Sequence, residues 1–137
     1  MLRLKLKEPY DQVFVRSCLE NPSTGVKNIV DAKIDTGAVV TVVPIHLIDG
    51  MGLEILGERD LATANGSRMR AIVCLCNVSL SDEDTFEMAI HAIKTETNNV
   101  LIGMDILNQC DFALWHDYRD GDETIYFELQ QAANPNL

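Results

Sequence analysis

The chain predicts an all-β fold, most simply a closed or barrel-like sheet, on three observations. Short runs rich in β-branched and apolar residues recur along its 137 residues. Turn chemistry separates them, at Asn21-Pro22-Ser23-Thr24-Gly25, Asn65-Gly66 and Ser81-Asp82-Glu83-Asp84. Only two short stretches, 44–50 and 105–109, read as helical.

Taken in order, Leu2-Arg3-Leu4-Lys5-Leu6-Lys7 alternates apolar and basic, as a strand with one wet face does. Val13-Phe14-Val15 opens a second strand, and after the turn at 21–25 a third spans 27–34, giving a hairpin. Thr41-Val42-Val43 is β-branched throughout and stops at Pro44. Residues 44–50 then suit one or two helical turns, with proline at the entry and glycine at the exit. A long hairpin is expected over 61–80, tipped by Asn65-Gly66 in a two-residue type I′ turn. Its returning arm, Ala71-Ile72-Val73-Cys74-Leu75-Cys76, is apolar enough to be covered on both faces. Residues 86–93 read as another strand, and Val100-Leu101-Ile102 as a short buried one ending at Gly103. A brief helix follows at 105–109, with Asp105 near its positive end. Strands at 110–115 and 124–129, joined by a polar loop over 117–123, complete the series. Residues 1–130 are thus expected to form one domain and 131–137 a frayed polar tail.

Composition narrows the function. The apolar fraction, 47%, supports a packed core and excludes a disordered tail. With 11 basic and 21 acidic side chains, the net charge is 11 − 21 = −10. That argues against nucleic-acid partners, which require a concentrated basic face, and against an anionic membrane surface. No stretch approaches the roughly 18 apolar residues of a membrane span, and residues 1–10 lack a signal peptide's apolar run. Cys18, Cys74, Cys76 and Cys110 show no disulfide-framework spacing and read as reduced thiols of a cytoplasmic protein. Cys74 and Cys76 would share one strand face, but no further soft ligands stand nearby to complete a metal site. His46, His91 and His116 are scattered, and read as surface or packing residues; no metal or cofactor is expected.

The segment that carries chemistry is Ala32-Lys33-Ile34-Asp35-Thr36-Gly37-Ala38-Val39-Val40-Thr41-Val42-Val43-Pro44. An acidic residue stands between an apolar strand end and a small, turn-prone trio, where glycine and Ala38 permit close approach. Flanking apolar residues would bury the base of the carboxylate and leave its tip in a cleft. By itself Asp-Thr-Gly is a common turn, and a structural reading outweighs a catalytic one. Its company changes the balance: a second apolar-apolar-glycine element at Leu101-Ile102-Gly103, and between the two a hairpin long enough to fold over a cleft.

Asp-Thr-Gly-Ala with Thr-Val-Val-Pro, then Thr-Ala-Asn-Gly, then Leu-Ile-Gly-Met-Asp-Ile-Leu resembles the retropepsin-type aspartic proteases, nearest to their single-domain, non-viral branch. The likeness runs from about residue 10 to residue 114, and the order and spacing of the three motifs carry it. It implies an acid-protease closed barrel with one or two short helices, functional as a two-fold dimer. It implies that Asp35 is catalytic, that Thr36 braces two active-site loops across the axis, and that Gly37 offers backbone to substrate. Thr63, Ala64, Asn65 and Gly66 would form a flap over bound peptide. Ala38, Leu101, Ile102 and Gly103 would support the aspartate loop. Many viral members carry an acidic residue two positions after the motif glycine, paired with an arginine after the downstream glycine. Here Val39 and Met104 stand there, an apolar swap that need not cost stability.

Hydrolysis by this route needs two carboxyls sharing one proton. The chain holds one Asp-Thr-Gly and no Asp-Ser-Gly, so a monomer lacks half the pair and a symmetric dimer supplies it. The expected function is therefore an aspartic endopeptidase, active as a homodimer on peptide or protein substrates. The alternative is a catalytically silent dimerisation or peptide-binding module on the same fold. A pure binder, however, has little use for a like-charge pair.

Overall fold

A computed structural model of the chain describes residues 1–6, 12–63, 65–117 and 124–132. Ten strands lie in two sheets: β1 (Leu2–Lys5), β2 (Phe14–Glu20), β3 (Lys27–Ile34), β4 (Val42–Pro44), β5 (Ile55–Ala62), β6 (Arg68–Ser79), β7 (Thr85–Ile93), β8 (Val100–Ile102), β9 (Cys110–Asp117) and β10 (Thr124–Gln131). Among the described residues, helix is confined to a 3-10 turn at Ile45–Leu47 and a single turn, α1, at Met104–Leu107. The larger sheet runs β2-β3-β8-β4-β7-β6-β5, and β6 pairs again with β2 to close a barrel of six strands. The fold is all-β, with one barrel closed on itself.

Strand β6 closes the barrel because it is long. Over Ala71–Ser79 it pairs with β7, and its last three residues, Asn77, Val78 and Ser79, also reach Glu20, Leu19 and Cys18 of β2. Alternation then sorts the side chains. Val15, Leu19, Val30, Ala32, Val78, Ile90, Val100 and Ile102 fill the interior, while Asp31, Arg16 and Ile29 face out. Cys74 and Cys76 share the buried face of β6, and burial raises both thiols, Cys76 to about 11. Cys110 is likewise pushed up to about 11, so these sulfurs stay protonated packing groups.

The second sheet, β1-β10-β9, packs Phe127 and Leu129 into the same core. Its outer face is fastened by Arg3, whose guanidinium lies 4.7 Å from the rings of both Trp115 and Tyr126 and pairs with Glu128. Asp84 ties the sheet to the barrel. Its carboxylate accepts from Ser81 Oγ and from the backbone N–H of Gln131 at 2.9 Å.

Three expectations need correcting. The first arm of the long hairpin begins at Ile55, six residues before residue 61. Nearly every residue of β5 is exposed, so no apolar alternation marks this edge strand; Glu58, Arg59 and Asp60 blunt it instead. The hairpin tip is a three-residue loop. Gly66 N–H donates to Thr63 O, Thr63 N–H donates to Ser67 O, and Gly66 has a positive φ of 83°. Asn65 spends its side chain accepting from Thr63 and Ser67, which favours this wider loop over a type I′ turn. Finally, β10 runs to Gln131, two residues past the strand end expected at 129, and Ala132 N–H donates to Gln109 O. Residues 133–137 and most of the 117–123 loop lie outside the described residues.

His91 is buried on β7, and its Nδ1 has no hydrogen-bond partner. Desolvation, reinforced by Arg59 and only partly opposed by Asp105, lowers its pKa below the usual value of about 6.5. Between that value and the lower folded one, the unfolded chain binds more protons than the folded chain. The stability tied to neutral His91 is complete above pH ~6.5 and is lost as pH falls through the folded pKa. Urea unfolding midpoints should therefore drop from pH 7.5 to pH 5.5, and His91→Gln should flatten that slope. An identical slope in the variant would refute the assignment.

Candidate active site

Asp35 sits one residue beyond β3, where the strand leaves the sheet. Its N–H donates to Ile102 O at 2.9 Å, so the aspartate is anchored to the end of β8. The loop then turns on itself. Ala38 N–H bonds Asp35 O at 3.1 Å, and Gly37 N–H donates to Asp35 Oδ1 at 2.9 Å. The second oxygen, Oδ2, has no hydrogen-bond partner among the described residues. The carboxylate is half-buried, Thr36 and Gly37 are exposed, and Val39 is 78% exposed. No hydrogen bond within the described residues uses the Thr36 hydroxyl.

Beneath this loop lies the Gly103 turn, and the approach is close. A Cβ on Gly103 would stand 2.5 Å from Val40 O and 2.8 Å from Ala38 O, distances no methyl group tolerates. Gly103 has φ −96°, so space and not backbone conformation requires glycine here. Met104 N–H donates to Ala38 O at 2.8 Å and completes the contact.

A buried polar clamp holds the two segments together. Thr41 Oγ1 donates to Asp105 Oδ1 at 2.7 Å and accepts from Gly103 N–H at 3.1 Å. Thr41 N–H donates to Asp105 Oδ2 at 2.8 Å, and Asp105 Oδ1 also caps Ile106 N–H. Thr41 is fully buried. Sequence reasoning placed Asp105 only at a helix start, and nothing in one sequence pairs it with a threonine 64 positions away.

At Lys33, two residues before the aspartate, the sheet forms the floor of a groove of about 250 Å³. Phe14 pairs with Lys33, Lys33 with Leu101, and Leu101 with Val42, a row of four residues across β2, β3, β8 and β4. Paired residues share a face, and this row turns away from the buried Ala32, Val100 and Ile102. Ile93 and Thr97 add to the wall. The β5/β6 ribbon rises alongside. Tipward of the Ala71–Ile93 pair, its strands bond only to each other, so the tip projects beyond the barrel. Thr63, Asn65 and Gly66 occupy that tip, while Ala64 lies outside the described residues. Arg70, paired with both Glu58 and Asp60, ties the ribbon's stem.

Of the residues singled out in the sequence, the structure thus brings Asp35, Gly37, Ala38, Ile102 and Gly103 into direct contact. Leu101 joins the groove floor, and the Thr36 hydroxyl has no hydrogen-bond partner among the described residues. Thr41, Asp105 and Lys33 lie in segments the sequence marks, but the sequence gives none of them a role at the site. Strand parity would have found Lys33, two residues before Asp35 on the same face.

The sequence over residues 26–109, more than half the chain, matches the family described as gag-polyprotein putative aspartyl protease. Among curated proteins none matches the sequence. In structure the chain is similar to a retropepsin-like aspartic protease from Rickettsia conorii, at 19% identity and TM-score 0.54, covering 91% of this chain and 98% of that one. It also matches the retroviral protease-like domain of Ddi1 from Leishmania major, at 15% identity and TM-score 0.48, over 82% of this chain and 91% of that one.

Gly103→Ala should lower stability by about 1–3 kcal/mol or more, the usual cost of overpacking, because the neighbours are backbone atoms that cannot swing aside. Thr41→Val, which strands Asp105 and Gly103 N–H, should cost about 1–3 kcal/mol. Denaturant titration with an unchanged m-value measures both. Wild-type midpoints in these variants would contradict the clamp.

Proposed function

The chain belongs to the retropepsin-like family of gag-polyprotein aspartyl proteases, and from that premise we propose that two copies pair into an aspartic endopeptidase. Asp35 carries the proposal. There is one Asp-Thr-Gly per chain, with Asp35 Oδ1 held by Gly37 N–H, two residues along the chain from a groove of about 250 Å³. A two-fold axis beside the loop would set the two Asp35 side chains against each other, and the exposed Val39 and unpartnered Thr36 would then be covered by the second loop. Phe112 and Leu114, exposed on the edge strand β9, offer further apolar surface to the second copy.

The chemistry follows from one proton shared by two carboxyls. The ionised Asp35 removes a proton from a water held between them, and the new hydroxide oxygen bonds the scissile carbonyl carbon. The protonated Asp35 gives its proton to the carbonyl oxygen as the C=O π pair moves there, leaving a neutral diol. The C–N bond then breaks and the departing nitrogen takes the proton first removed from water. The diol hydroxyl returns its proton to the other carboxylate. Gly37 N–H, by holding Oδ1, fixes the plane of its carboxylate.

An extended peptide lying under the β5/β6 tip is the substrate this arrangement suits, and a net charge of −10 disfavours nucleic acid. Among the described residues no helix is long and apolar enough to cross a membrane. Four free thiols fit a reducing compartment such as the cytoplasm.

Asp35→Asn should reduce cleavage of a peptide library by on the order of 10²–10⁴-fold, leaving the circular dichroism spectrum unchanged. A variant that keeps full activity would end the proposal. The wild-type rate should be higher at pH 5 than at pH 8, because one carboxyl of the pair must hold its proton. A rate that climbs steadily through pH 8 would contradict shared-proton chemistry.

A further inference from the structure

The groove floor contains a charge that the reaction does not use. Phe14, Leu101, Val42 and Ile93 make an apolar row beside the polar Gln12, Thr95, Thr97 and Asn99, and Lys33 stands in the middle of that row, half-buried. Its ammonium forms no ion pair among the described residues, although Asp31 and Asp35 flank it on the same strand face. Two residues of extended strand separate Lys33 from Asp35, about 7 Å at roughly 3.3 Å per residue. A side chain seated over Lys33 therefore belongs to the residue next to the bond under attack.

Resting on the protease reading, we propose that Lys33 sets substrate preference, selecting a peptide with Glu or Asp beside the scissile bond. An ammonium in a partly dehydrated, apolar groove attracts a carboxylate more strongly than the same pair would in water. The aliphatic stem of a glutamate can lie on Leu101 and Val42 while its carboxylate reaches the ammonium. A lysine or arginine there meets a like charge, which disfavours it and widens the discrimination. In a two-fold dimer each copy presents one Lys33, so the preference applies on both sides of the bond. The charge is local: the chain as a whole carries −10, and nothing in its overall field would draw an acidic peptide.

Two experiments with one peptide series test this, the residue flanking the cut being Glu, Gln, Leu or Lys. In cleavage by the full chain, kcat/KM for the Glu peptide should exceed that for Gln by tenfold or more. Lys33→Leu should bring the ratio to near one, and Lys33→Glu should invert it in favour of the Lys peptide. The Glu advantage should fade as pH falls through the free glutamate pKa of about 4.3. In binding to Asp35→Asn, measured by fluorescence anisotropy, the Glu peptide should be the tighter ligand, and adding Lys33→Leu should abolish the difference. An equal Glu-to-Gln ratio with and without Lys33, in either assay, overturns the inference. Cleavage without any acidic preference sinks it while sparing the protease reading. Preferential binding with no cleavage at any pH does the reverse.

Discussion

The close approach between the Asp35 loop and the Gly103 turn is the constraint on which this structure depends. Two segments some 65 positions apart meet with backbone oxygens where a side chain would otherwise be, and the buried Thr41–Asp105 clamp holds them there. Everything else at the site is referred to that contact. Asp35 takes its position from Ile102 O, and Met104 N–H closes the loop onto Ala38 O. Thr41 leads directly into β4, and Val42 extends the groove floor from it. A barrel built from short strands has no long helix to act as a rigid shelf, so polar clamping of loops does that work here.

That rigidity also explains why the loop can leave a hydrophobic side chain in water. Val39 replaces an acidic residue common in viral relatives, and Met104 replaces its arginine partner. Neither is needed to fix the loop once the backbone contact and the threonine clamp are made. The cost is an exposed apolar side chain beside a lone carboxylate, an arrangement stable in isolation but suited to being covered. Covering it with a second copy brings together two chains of −10, a repulsion that apolar contact must outweigh.

Much of this was legible in the sequence, and the exceptions share a physical cause. Strand β1 announces itself by alternation, β2 and β8 by short apolar runs, and turns by Asn, Pro and Gly. Strand β5 did not, because an exposed edge strand has no apolar face to reveal it. The tip of the ribbon was misjudged because Asn65 binds Thr63 and Ser67 through its side chain, a local competition that the dipeptide alone does not disclose. Asp105 was visible as a helix-start acid, but its partner Thr41 depends on a fold that brings β4 against β8. Closure of the barrel through β2 and β6 was foreseen only as a class, since a three-residue pairing between distant strands leaves no local trace. The groove was missed as a whole, because its row of residues comes from four strands.

The central claim is that one active centre takes its acid from two polypeptides. Mixing wild-type chains with Asp35→Asn chains, under conditions where subunits exchange, tests it most directly. If both carboxyls are required, activity should follow the square of the wild-type fraction, falling to about a quarter of the all-wild-type value in an equal mixture at fixed total protein. Activity proportional to the wild-type fraction would show that a single Asp35 suffices and would contradict the account.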